Sequence, residues 1–107
     1  MKDIIFAGNS LKALKALPTE ARREAGYQLD KIQHGEDPAD WKPFQGIGIG
    51  VRELRIRESN GTYRVIYIAK FEEAVYVLHA FAKKTQRTAK IDIEIAKQSL
   101  KDILQER

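Results

Sequence analysis

In the segment HAFAKKTQRTAK, residues 79–90, an apolar run ending in Phe81 leads directly into Lys83, Lys84, Arg87 and Lys90. Cations packed this closely repel one another, so the segment is either a solvated connector or a place that waits for an anion. Two further arginines, Arg55 and Arg64, stand in the preceding stretches VRELRIR and TYRVIYIA. Arginine forks and lysine ammoniums that converge on one spot make a phosphate site, because both give charge-assisted hydrogen bonds to phosphoryl oxygens. Other reactive groups are scarce. Of the two histidines, His34 falls near the end of a helix, where a surface or dipole-paired role is expected. His79 ends a strand and is open to a structural or a catalytic role. The absence of cysteine excludes disulfides, thiolate nucleophiles and thiolate zinc sites. No HExxH, histidine pair or Asp/Glu cluster suggests a metal site. No metal and no cofactor is therefore expected, and any catalysis has to work by positioning and charge stabilisation.

The charge is not evenly spread. Residues 1–50 carry seven Lys/Arg against seven Asp/Glu, residues 91–107 carry three against four, and residues 51–90 carry nine against four. The middle of the chain thus supplies the basic excess behind a formal net charge of +4, and a localised positive field points to an anionic partner. With 107 residues, 43% of them apolar, the chain is expected to form a single domain over 1–107 with one core. No apolar stretch approaches a membrane span, and MKDIIFAGN has neither an extended apolar core nor a small-residue cleavage site. A soluble, cytoplasmic protein with no membrane partner is expected.

The elements that must position these cations follow from periodicity. KDIIFAG is a short strand candidate, and Asn9 or Ser10 can cap the helix that Leu11, Leu14 and Leu17 outline. Pro18 suits the first turn of a second helix, in which Ala21, Ala25, Leu29 and Ile32 make an apolar stripe ending at Gly35. The two form a helical hairpin. EDPADWKPFQGIGIG, with two prolines and three glycines, reads as a loop pinned by Trp41 and Phe44. Its GIGIG lacks the Lys-Ser/Thr ending of a P-loop and no helix follows, so a nucleotide site is rejected. VRELRIR, TYRVIYIA and AVYVLHAF then alternate, joined by turns too short for anything but antiparallel pairing. The N-terminal strand adds an edge to this meander. Thr88 can cap a last helix whose Ile95, Ser99, Leu100, Ile103 and Leu104 form a semi-apolar side.

Strict alternation puts Arg52, Leu54 and Ile56 toward the helices and sends Glu53, Arg55 and Arg57 outward. In the next strand Thr62, Arg64, Ile66 and Ile68 share a face, opposite Tyr63, Val65, Tyr67 and Ala69. Arg64 is costly there unless it reaches solvent or a partner. In the third, Val75, Val77, His79 and Phe81 alternate with Ala74, Tyr76, Leu78 and Ala80. An open sheet face bearing Arg55 and Arg64, with lysines at its rim, is a plausible phosphate site.

In this order ELR, YR and LHxFxKKTQ resemble the phage-derived, HigB-type toxins of the RelE/ParE superfamily of toxin–antitoxin modules. LPTEAR, LDKIQHGEDP, GIGIGVRELRIRESNGTYRVIYIA, VLHAFAKKTQRT and IEIAK extend the likeness over nearly the whole chain. One departure is Ala89, where relatives commonly have a proline opening the last helix. The resemblance implies an α+β, RelE-like fold: an N-terminal helical hairpin packed on one face of a small antiparallel sheet, with a C-terminal helix. It implies a ribosome-dependent mRNA endoribonuclease restrained by a cognate helix-turn-helix antitoxin. Arg55, Arg64 and Lys84 then fall where the ribonuclease branch places basic residues near the scissile phosphate. Lys83, Gln86, Arg87 and Arg57 would bind RNA, and His79 and Glu53 are candidates for the general base. Arg64 is expected to be removable without harm to the fold. The alternatives are the superfamily branch that poisons DNA gyrase without cutting RNA, and an RNA-binding domain without catalysis.

Overall fold

The computed structural model describes residues 1–107. Along the chain run β1 (Asp3–Phe6), α1 (Ser10–Lys15), α2 (Thr19–Gln33), β2 (Trp41–Pro43), β3 (Val51–Glu58), β4 (Gly61–Ile68), β5 (Ala74–Lys83) and α3 (Lys90–Glu106). The strands form one sheet in the order β1-β5-β4-β3-β2. The short ESNG and KFEE turns enforce the antiparallel β3-β4-β5 meander. The expected antiparallel sheet is nevertheless mixed, because β1 pairs with β5 in parallel, Asp3 opposite Ala74 and Phe6 opposite Val77. The intervening hairpin and meander give far more chain than a parallel crossover requires. The other edge comes from β2, inside the segment read as a loop, which pairs antiparallel with β3. Pro43 is tolerated because β2 is an edge strand.

The helical hairpin covers one face. Leu14, Leu17, Ala21, Ala25, Leu29 and Ile32 meet Leu54, Ile56, Tyr63, Val65 and Tyr67 in a buried cluster. The alanines of α2 let its axis come close to the sheet, and Gly35, at φ +82°, ends the helix in a conformation that suits glycine. The opposite face carries a second cluster, in which Val51, Ile66, Ile68, Ala74, Tyr76, Leu78 and Phe81 pack against Ala96 and Ile103 of α3 and Ile47 of the β2–β3 loop. That loop closes on α3 at Gly48, where a Cβ would stand 2.5 Å from Leu100 Cδ2. Half of this second face is therefore roofed. No helix is long and apolar enough to cross a membrane.

Three details depart from the sequence expectation. A bulge in β5 pairs Ile66 with His79 but Tyr67 with Val77, leaving Leu78 over. Phe81 therefore shares the α3 face with Tyr76 and Leu78, while Ala80 joins Val77 on the other face. In α3 the buried residues are Ala96, Ser99 and Ile103; Ile95 and Leu104 are exposed, so the packed side is rotated from the expected one. Ala89, not Thr88, stands at the N-cap, without a side-chain cap bond.

α3 is tied down at both ends. Near its start, Asp92 Oδ1 lies 2.8 Å from His79 Nε2. At its end, Arg107 Nε and Nη2 donate to Glu73 at 2.6 and 3.1 Å, and the guanidinium sits 3.7 Å over the Phe71 ring. The Arg107 hydrogen bond holds the Glu73 carboxyl down at about 2, against an ordinary 4.5. A depressed carboxylate stabilises the fold above its unfolded pKa and loses that contribution as the pH falls toward the folded value. Between about pH 4.5 and 2 the last turn of α3 is thus expected to lose amide-exchange protection, and Glu73→Gln is expected to abolish this pH-dependent step.

Candidate functional site

The site begins with a cross-strand conflict. Arg55 of β3 lies directly opposite Arg64 of β4, and like charges in that position destabilise a sheet. Glu53, two residues along β3 on the same face, resolves it. Arg64 Nε donates to Glu53 Oε1 at 3.2 Å and Nη1 donates to the Tyr63 carbonyl at 3.1 Å. The pair is buried, with the Arg64 and Glu53 side chains 5% and 0% exposed. Glu53 is thus not outward as alternation suggested. Its face is the expected one, but β2 pairs alongside β3 and brings Lys42 Nζ to 3.9 Å from Oε1. Burial pushes the Arg64 guanidinium below its ordinary range and Glu53 pulls it back up; an arginine stays charged regardless. Nη2 has no bond to the protein and is not sealed off. It is the edge of the fork left for a ligand.

The other cations are placed around this pair. Arg55 Nη1 and Arg57 Nε each lie 3.9 Å from Asp40, which precedes β2. Arg55 Nε is buried without a partner. Lys83 pairs across the sheet with Thr62, whose hydroxyl donates to the Lys83 carbonyl at 3.3 Å. Burial pushes the Lys83 ammonium down, Glu53 raises it, and Arg64, Lys42 and Arg55 lower it further. Together Lys42, Arg55, Arg57, Thr62, Arg64, Lys83, Lys84, Thr85 and Gln86 line a cleft of about 630 Å³ with no apolar residue. A somewhat larger cavity, about 780 Å³, lies between β1 and α3, but Glu73, Asp102 and Glu106 on its wall suit no anion.

The fold brings Arg55, Arg57, Arg64, Lys83, Lys84 and Gln86 into one cleft. Arg87 stands outside it, in the adjoining recesses. His79 is also outside. It is buried, bonded to Asp92 and stacked on Phe81 with ring centroids 5.2 Å apart. Lys42, Thr62 and Thr85 were not singled out from sequence. Alternation puts Thr62 on the Arg64 face and Thr85 lies inside KKTQ, so both carry a signal; Lys42, in a segment rich in Pro and Gly, carries none.

A family model described as phage derived protein Gp49-like matches residues 12–101. Among solved structures, the free-state structure of a double arginine-to-alanine variant of the E. coli toxin RelE superposes with a TM-score of 0.65 at 19% identity, covering 95% of this chain and 97% of that one. At that identity the likeness is one of fold. No curated protein matches the sequence.

The burial of Arg64 overturns the expectation that it can be removed without harm. Cutting one partner out of a buried ion pair strands the other, at about 3–5 kcal/mol. Glu53→Ala is expected to cost that much in urea unfolding, and joint replacement by Glu53→Leu and Arg64→Met to recover most of it. Additive losses in the double variant would show that the two side chains do not act as a pair.

Proposed function

The chain belongs to the phage-derived Gp49-like family, a family of RelE/HigB-type toxins, and from that premise we propose that it is an endoribonuclease acting on messenger RNA in the ribosome. The observation that carries this reading is the cleft itself, where Lys42, Arg55, Arg57, Arg64, Lys83 and Lys84 converge, outnumbering the two carboxylates near them, Glu53, which is sealed from solvent, and Asp40 beside Arg55 and Arg57. Such a surface has positive charge to spare for a phosphodiester. It favours RNA over a gyrase surface, which offers no chain of phosphates to a cleft of this kind.

The 2′-hydroxyl of a nucleotide attacks its own 3′-phosphate in line. As the O2′–P bond forms, the P–O5′ bond breaks and the leaving oxygen takes a proton from water, giving a 2′,3′-cyclic phosphate and a 5′-hydroxyl. DNA lacks the nucleophile and is not cut. Arg64 through Nη2, with Arg55 and Lys84, stabilises charge on the phosphoryl oxygens, and the buried Arg64–Glu53 pair fixes the fork before substrate arrives. The ribosome adds the alignment of the RNA backbone. Gln86 and Arg57 hold flanking groups. No cofactor takes part. A cognate helix-turn-helix antitoxin silences the toxin in the cytoplasm by covering the cleft or by preventing docking.

For the proton on the 2′-hydroxyl, His79 is committed to Asp92, and Glu53 has one oxygen on Arg64 and the other sealed. Lys83 lines the cleft, and burial pushes its ammonium down against the opposing pull of Glu53; burial does the same to Arg64, but an arginine keeps its proton. On this reading Lys83 is the group in the cleft assigned to take the 2′-hydroxyl proton.

Arg64→Lys keeps a cation beside Glu53 but loses the Nη2 donor. It is expected to reduce transcript cleavage, read by primer extension after induction at equal expression, by about 100- to 1000-fold. Unchanged cleavage would remove Arg64 from the site.

If Lys83 is the base, single-turnover cleavage on ribosomes rises with pH and levels off below the ordinary lysine range. Lys83→Arg, which keeps the charge but holds its proton, is expected to lose that rise. An unaltered pH profile would assign the base elsewhere.

A further inference from the structure

A second recess of about 450 Å³ adjoins the cationic cleft and shares Lys42, Lys83 and Gln86 with it. Its character is different. Pro43, Phe44 and Ile93 give it an apolar wall, and Gln45 and Gln86 are among its lining residues. The wall is held in place: the Phe44 N–H donates to the Val51 carbonyl at 2.8 Å, and the Phe44 carbonyl accepts the Ile47 N–H at 3.1 Å. Phe44 and Ile93 are half-buried and pack against the same core cluster under α3.

An apolar wall with a few convergent polar groups suits a flat ring with hydrogen-bonding edges. A glutamine amide carries both donors and an acceptor, so Gln45 and Gln86 can meet the mixed edge of a heterocycle. Phe44 and Pro43 offer it a face. Arg87, which is outside the phosphate cleft, lines this recess, where its guanidinium plane can stack on a ring or meet a further phosphate. An anion site joined to a ring site through Lys42, Lys83 and Gln86 is complementary to a nucleotide.

We propose that this recess holds the nucleobase next to the phosphate in the cationic cleft, and that Gln45 and Gln86 read its edge and so set the sequence at which RNA is cut. The inference rests on the RNA reading above and adds a base-specific subsite to it. Gln45 is its most diagnostic residue because it lines the recess without lining the phosphate cleft.

The test is the distribution of cut sites on transcripts mapped by primer extension, comparing the native chain with Gln45→Ala, Gln86→Ala and Gln45→Glu. The native chain is expected to favour one base beside the cut by about 10-fold or more, as good edge contacts allow. Gln45→Ala is expected to flatten that ranking. Gln45→Glu, which trades donors for acceptors, is expected to reorder it. The measured quantity is the ratio between sites on one transcript, so a variant with lowered stability or expression still reports. Cutting with no base preference in the native chain, or the same ranking in all three variants, would overturn the subsite while leaving the ribonuclease reading intact. Absence of any cutting by the native chain would overturn both.

Discussion

The buried pair between Arg64 and Glu53 is the interaction on which the rest of the site depends. Glu53 offsets the repulsion between Arg55 and Arg64, which face each other across β3 and β4, and favours the approach of Lys42 and Lys83 to the same spot. The pair also explains the mismatch between burial and chemistry. An arginine inside a central strand costs solvation energy, and a neighbouring carboxylate with a backbone carbonyl offsets it only when the fork is held in one orientation. That orientation leaves Nη2 free. Rigidity needed for stability and pre-orientation suited to an anion are therefore one property of the same side chain.

Much of this was legible in the sequence, and what was missed has physical reasons. Alternation correctly put Arg55 with Arg57, and Thr62 with Arg64, because β3 and β4 are regular through those positions and one face of each meets the hairpin. The same alternation failed in β5, since a bulge at Leu78 adds a residue that no local pattern announces. Glu53 was assigned to the right face and the wrong environment. A face is a local property of a strand, whereas burial depends on what else arrives, here a three-residue β2 within a segment rich in Pro and Gly. Lys42 was lost for the same reason. The parallel pairing of β1 with β5 also lay beyond turn-length arguments, which speak only about strands that follow one another.

His79 shows how far residue chemistry alone can mislead. A histidine before KKTQ invites a catalytic role, yet its ring is stacked on Phe81 and its Nε2 meets Asp92 of α3. It belongs to the set of contacts that hold the last helix across the sheet, with Gly48 against Leu100 in the middle and Arg107 on Glu73 at the far end. These contacts roof one half of the sheet face and leave the other half to the cations. The division between core and cleft on a single face is thus set by where α3 is fastened.

The parallel β1–β5 pairing has a consequence in time as well as in space. The strand that opens the chain has no partner in the sheet except the last strand, and Asp3 finds its place only when Ala74 is available. Contacts this distant in sequence close late and make folding slow relative to a chain of local contacts. The meander that carries Arg55 and Arg64 can form before the edge is sealed, but the groups at and just beyond the end of β5, Lys83 to Gln86, come last of the cleft's groups. A chain interrupted during synthesis before that point has half a site and an open sheet edge. The order of residues along the chain therefore delays the completed cleft until most of the chain has been made.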